Sequence, residues 1–335
     1  MRSPPHEGRS PDLVEQGEAS GIEALPGRVS RYGLAKRRAL EQAQYIALQE
    51  GGKMLSRKVQ ACGDYLLFRH YFTVDQVRLH AAYLCRKHLL CPLCAIRRGA
   101  KAMQAYLPRY EAVRAARPDL RPFLVTLTVK DGPDLAERFK HLHQAQRELW
   151  KRKHRGRGSV LEQVEAAVWS YEVKKGSRSG LWHPHLHMVA LASGLACEDN
   201  NEGTLGDLSR EWRAITGDSF MVNVKAIDQA DPASGFLEVF KYALKFSDME
   251  HADTWEAFQV LRARRLLGSA GLFRGIDIPD QLLDQPFDNL PYAELFFRYL
   301  RGLGYSLAKG GQGRARRPQP GRQARTGRAP GEANP

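Results

Sequence analysis

Long apolar runs are missing from this chain. None of its 335 residues falls in an uninterrupted apolar stretch of about 18 or more, so no membrane-spanning helix is expected. Residues 1–30 also lack the basic-then-apolar layout of a secretion signal, which makes a soluble, cytoplasmic protein the expectation. Cysteine is scarce: the chain has five, an odd number, which points to metal ligation or free thiols rather than a disulfide framework. Acidic residues are in deficit, 37 against 51 Lys and Arg, leaving a net charge of +14. Each cation laid on a phosphate releases condensed counterions, so nucleic acid is the expected partner and a membrane is not. No internal repeat marks a solenoid or propeller.

What is present divides the chain. Residues 1–30, rich in Pro, Gly, Ser and Glu without periodicity, read as a disordered arm. Residues 309–335 carry seven Lys or Arg against Glu332 alone and read as a basic disordered tail, either a solvated extension or a tether to DNA. Between them, residues 31–120 are expected to form a helical, zinc-binding, DNA-contacting region, and residues 121–250 a catalytic core. Residues 251–308 are expected to form a C-terminal helical subdomain, from the spacing of Trp255, Phe258 and Leu261 and of Leu295, Phe296, Tyr299 and Leu300.

In the core, apolar or alternating runs at 122–129, 164–173, 185–191 and 220–227 predict strands. Leu135, Phe139, Leu142 and Leu149 repeat at helical spacing, as do Leu205, Leu208, Trp212 and Ile215 behind a cap at Thr204. The short connection at 174–180 demands a hairpin, hence antiparallel pairing. The fold class is therefore α+β, a mainly antiparallel sheet with helices packed on it.

The segment Trp182-His183-Pro184-His185-Leu186-His187 carries the first chemical signal. Residues two apart on a strand share a face, so His185 and His187 point one way and Leu186 and Met188 the other. Two imidazoles make half of a metal site. Glu172, one hairpin away, is the expected third ligand, with Glu165 on the same strand as the alternative. That donor set suits a divalent ion such as Mn²⁺ or Mg²⁺. His183, held extended before a proline, is either a supporting group near the site or a structural residue.

The second signal lies at 234–246, where an amphipathic helix is predicted with Leu237, Phe240 and Leu244 buried. The other stripe is Glu238, Lys241, Tyr242 and Lys245. Taken alone it is an ordinary solvated face. Beside a metal strand, Tyr242 becomes a candidate nucleophile, with Lys241 and Lys245 favouring its phenolate and Glu238 as base for a second transfer.

Three segments in this order, Phe123-Leu124-Val125-Thr126-Leu127-Thr128, His183-Pro184-His185-Leu186-His187 and Glu238-Val239-Phe240-Lys241-Tyr242-Ala243-Leu244-Lys245, resemble the replication initiators of rolling-circle plasmids. These belong to the HUH endonuclease superfamily, in the branch with one catalytic tyrosine and a glutamate four residues before it. The resemblance implies a ferredoxin-like core and a metal-dependent single-strand endonuclease. Such an enzyme nicks one strand of the plasmid origin, presented single-stranded or as a hairpin. It stays joined to the 5′ phosphate through Tyr242 and leaves a 3′ hydroxyl for host polymerase and helicase. Glu238 would direct hydrolysis at termination. The rival readings are an HUH transposase or relaxase, and a zinc-containing repressor that only binds DNA.

The remaining motif is Cys91-Pro92-Leu93-Cys94, which follows Cys85 and suggests structural Zn²⁺, a metal that wants four ligands. Cys62 is the preferred fourth, since its Cys-Gly pair before an apolar run is similar to the corresponding region of these initiators. His80 and His88 compete for the place. Arg97, Arg98 and Lys101 beyond the knuckle are expected to meet DNA phosphates. Cys197 reads as an ordinary thiol.

Overall fold

The structure, a computed structural model, describes residues 21–156, 158–176, 179–199, 206–241 and 244–313. Its core is the run β3 (Arg121–Thr128), α4 (Leu135–His154), β4 (Val164–Lys175), β5 (Trp182–Ala192), α5 (Asp207–Thr216) and β7 (Val222–Ala226). Spatially these strands lie β7-β3-β5-β4, all antiparallel. That is the split β-α-β, ferredoxin-like order. The short β6 (Glu198–Asp199) and β8 (Leu267–Gly271) extend it to six strands.

The two faces of this sheet bury different partners because successive side chains alternate. One face sets Val125, Leu127, Leu186, Met188 and Tyr171 against the α4 stripe Leu135, Phe139, Leu142 and Leu149. Asp134 caps that helix by accepting from the Glu137 backbone N–H at 3.1 Å. The other face sets Ala166, Val168, Val189 and Leu191 against α3 (Pro92–Ala116) and α6 (Pro232–Phe240) through Tyr106, Tyr110, Phe236, Val239 and Phe240. Thr204, the expected cap of α5, lies outside the described residues. Glu198 holds that helix start, accepting from the backbone N–H of Leu208 at 2.8 Å and Ser209 at 3.2 Å.

A second antiparallel sheet has the order β10-β9-β1-β2, built from β1 (Tyr65–Tyr71), β2 (Gln76–Ala82), β9 (Tyr292–Leu300) and β10 (Gly304–Gly313). It packs on α1 (Leu25–Ala47), with α2 (Lys53–Ala61) beside that helix. The expected C-terminal helical subdomain is corrected here. Only α7 (His251–Leu261) is an α-helix, and Leu295, Phe296, Tyr299 and Leu300 belong to a strand. Their spacing fits a helix, but Phe297 and Leu295 face Leu66 and Phe68 across β1, and this long-range pairing decides. Helix begins by Leu25, inside the expected N-terminal arm, and β10 runs five residues past the boundary drawn at 308. The rest of both tails lies outside the described residues.

Asp284 joins the second sheet to α1 and α3. Its carboxylate meets Arg28 at 3.1 Å, Lys101 at 3.2 Å and Arg97, and accepts from the Leu79 backbone N–H at 2.8 Å. Burial alone would raise its pKa, but Arg97 and Arg28 override this and hold it well below the ordinary carboxylate range. The expectation that Arg97 and Lys101 contact DNA is therefore corrected: Arg97 is 0% exposed and Lys101 6%. Only Arg98 reaches the surface, near Asp280.

Candidate metal-centred site

Glu172, His185 and His187 converge on the sheet face shared with α3 and α6, just beyond the aromatic packing. The β4–β5 register sets Glu172 directly opposite His185, and Ser170 opposite His187. Nε2 of His185 lies 3.2 Å from one carboxylate oxygen of Glu172, and Nε2 of His187 lies 3.3 Å from the other. All three side chains are buried, and the ligand atoms lie within 4.8 Å of one another. Neither Glu172 oxygen receives a well-formed hydrogen bond. Burial opposes ionisation of Glu172, yet the two imidazoles hold it well below the usual range; burial also lowers His185. An anionic carboxylate and an imidazole kept neutral, aimed at one point, are the protonation states that metal ligands need. Glu165 is exposed on the same strand and takes no part.

A further layer orients the imidazoles. Nδ1 of His187 is 3.1 Å from the Thr126 hydroxyl, and Nδ1 of His185 is 3.3 Å from the backbone carbonyl of His183. With Nδ1 protonated toward these oxygens, each Nε2 keeps its lone pair for the centre. His183 contributes through that carbonyl, while its own ring is exposed on the same face. Thr126 was not singled out from sequence, although alternation along β3 places it opposite His187. Ser170 is the other omission, buried with its hydroxyl unpartnered.

α6 brings the second signal to this place, in altered form. It ends at Phe240 rather than 246, and its buried stripe is Phe236, Val239 and Phe240, with Leu237 half-buried. A Cβ at Gly99 on α3 would stand 3.1 Å from the Phe240 carbonyl, so a small residue there admits this close approach. Glu238 forms an ion pair with Lys241 one turn on. Lys245, on the 3-10 turn Leu244–Asp248, places its ammonium 3.6 Å from Glu172, and Lys174 lies 3.2 Å from the same oxygen. Tyr242 lies outside the described residues, between the α6 terminus and that turn.

The cysteines form a separate centre. Cys91 stands at the N-cap of α3 with Cys94 in its first turn, and the sulfurs of Cys62, Cys85, Cys91 and Cys94 gather within 4.8 Å. Sulfur separations of 3.5–3.6 Å exceed the ~2 Å of a disulfide. They approach the spacing set by four Zn–S bonds of about 2.3 Å. Hydrogen bonding from Cys62, Cys91 and Cys94 lowers Cys85, while Cys62 and Cys91 are held up by their neighbours, so a nearby cation would favour ionising Cys62 and Cys91 beside Cys85. The set contains neither His80 nor His88. Gly63 follows Cys62 at φ +70°, where a Cβ would strike Leu93 and the Tyr305 hydroxyl. Cys197 is exposed and apart.

These features define an α+β protein whose ferredoxin-like sheet presents a two-histidine, one-carboxylate centre and which carries a separate four-cysteine cluster. Comparison with known proteins finds likenesses to replication proteins. The family model described as "Replication protein" matches residues 76–202. "Protein rep" of Streptococcus pneumoniae serotype 2 (strain D39 / NCTC 7466) is 27% identical over 66% of this chain and 71% of its own length. "Protein rep" of Lactiplantibacillus plantarum is 25% identical over 68% of this chain and 72% of its own. Over these stretches the chain is similar to replication proteins, in keeping with the resemblance to rolling-circle initiators. No solved structure matches it significantly. Among the described residues no helix is long and apolar enough to cross a membrane.

Proposed function

We propose that this protein initiates rolling-circle replication of a plasmid by nicking one strand of the double-strand origin, with Tyr242 as nucleophile. The observation that carries the reading is the buried Glu172, unsatisfied by hydrogen bonds, facing two oriented imidazoles with Lys245 3.6 Å away. Lys245 is three residues from Tyr242 in the sequence, a span of at most about 11 Å of extended chain between their α-carbons.

Glu172, His185 and His187 would hold a divalent ion, Mn²⁺ or Mg²⁺, which when bound would supply Lewis-acid stabilisation of phosphate charge. Lys245 and Lys241 favour the phenolate. The Tyr242 oxygen attacks phosphorus in line, a P–O bond forms, and the bond from phosphorus to the 3′ oxygen breaks. The phenolic proton passes to solvent water, and the departing oxygen takes a proton from water to become the 3′ hydroxyl. The 5′ phosphate remains esterified to Tyr242. Host polymerase extends the 3′ end while a host helicase opens the duplex. At termination Glu238 accepts a proton from the water that releases the strand. Cys62, Cys85, Cys91 and Cys94 hold a structural Zn²⁺.

Incubation with a supercoiled plasmid carrying its own origin tests the reading. Relaxation is expected with Mn²⁺ or Mg²⁺, to be absent with chelator, and to be lost in Tyr242→Phe. Relaxation that persists in Tyr242→Phe would overturn it.

A further inference from the structure

The second sheet has two unlike faces. Leu66 and Phe68 of β1 point inward, with Phe68 stacked on Tyr32 of α1 at 6.5 Å. Alternation therefore turns Tyr65, Leu67 and Arg69 outward. On β9, in register, Leu295 and Phe297 pair with the inward residues, while Glu294, Phe296 and Arg298 turn outward. Arg298 stands opposite Tyr65, and Glu294 opposite Arg69.

The outward face interleaves rings and cations. Tyr65 stacks on Phe296 at 5.8 Å and 25°. The Arg69 guanidinium lies 4.1 Å over the Tyr292 ring, and that of Arg78, opposite Arg69 on β2, lies 4.6 Å over Phe287. Phe287 closes one end of the face by packing on Tyr71 at 5.1 Å. At the other end Tyr65 stays 36% exposed beside the exposed Arg298.

From this geometry we propose that the outward face of β1, β9 and β2 is a stacking platform for the unpaired bases of single-stranded DNA, separate from the metal-centred site. Three arginines to one glutamate make the face cationic, which disfavours a second copy of a chain with net charge +14 and its own basic tail at 309–335. A polyanion is drawn to it. The exposed Tyr65 ring, stacked on Phe296 and beside Arg298, accepts a base whose π face is free, and a duplex hides its own. The platform does not depend on the nicking reading, since a chain unable to cut still binds through it.

The test compares the full-length protein with a Tyr65→Leu/Phe296→Leu variant, which keeps apolar bulk and removes the rings. Fluorescence anisotropy is read with a labelled oligothymidylate, which carries no origin sequence, and with a duplex of equal length at the same salt. The wild type is expected to prefer the single strand. The double variant should lose on the order of 10- to 100-fold in single-strand affinity, with duplex binding unchanged. Arg298→Gln, at an exposed position and so indifferent to folding, should reduce the salt slope of single-strand binding by about 0.7. A double variant with wild-type thermal unfolding and wild-type oligothymidylate affinity would overturn the proposal. So would an unchanged salt slope in Arg298→Gln. Conversion of a dimer to a monomer with affinity unchanged would assign the face to a second copy and likewise overturn it.

Discussion

The two sheets are assembled over very different distances along the chain. The centre of the six-stranded sheet comes from one continuous run, 121–226, in which consecutive strands are joined by a helix or a hairpin. The four-stranded sheet pairs 65–82 with 292–313 across the whole core. The first carries the candidate metal-holding side chains Glu172, His185 and His187, brought face to face by a hairpin. The second is secured to the helices by devices with no local origin: the Asp284 hub, and a cysteine cluster beside Gly63, whose carbonyl accepts from the Tyr305 hydroxyl. Damage to the first sheet's polar face should therefore remove chemistry while sparing the fold, and damage to the second sheet's buried staples should do the reverse.

The largest separation of the two is expected from Glu172→Gln. Loss of the anionic ligand removes several kcal/mol of charge stabilisation, so origin nicking should fall by on the order of 100- to 1,000-fold. Thermal unfolding of the metal-free protein should stay cooperative. Nicking within a few-fold of wild type would place the metal elsewhere.

Asp284→Asn attacks the other sheet. It removes the charge of the carboxylate that Arg28, Arg97 and Lys101 share and should cost about 3–5 kcal/mol in denaturant unfolding. Asp284 is held below its unfolded value, so its contribution is complete above the unfolded carboxylate range, near pH 4, and is lost as pH falls through the lowered folded value. The gap between wild type and variant should narrow on acidification below about pH 4. A gap that widened there would contradict the hub's sign.

Thr126→Val is the finest test. It leaves the ligands in place and removes only the oxygen at Nδ1 of His187. Weaker Mn²⁺ affinity, by roughly 10- to 100-fold, is expected, with nicking recovered at high metal. Unchanged affinity by calorimetry would mean that Thr126 does not orient the ring.

Local assembly also explains what was legible beforehand. Alternation at 185–191 and one hairpin suffice to set Glu172 against His185, and the α4 stripe is read correctly because a long amphipathic helix has one dominant period. Crowded apolar residues in α6 allow two stripes one residue apart; contact with α3 selects Phe236, Val239 and Phe240 over the predicted set. Arg97 and Lys101 look solvent-facing because charges are rarely buried without a partner, and the partner is Asp284, 187 residues beyond Arg97. Strand β9 carries apolar residues at helical spacing, and only its pairing with β1 reveals it. The bulge and register that set Tyr65 and Phe296 on one face have no signature in a single sequence.

The most direct measurement is the mapping of a covalent protein–DNA adduct. Wild-type protein and Mn²⁺ are mixed with a single-stranded oligonucleotide spanning the plasmid's own nick site, and the adduct is digested and sequenced by mass spectrometry. A 5′-phosphotyrosyl linkage at Tyr242, formed with release of a 3′-hydroxyl fragment and absent in Tyr242→Phe, is the predicted result. Attachment at any other residue, or cleavage with no adduct at all, would contradict it.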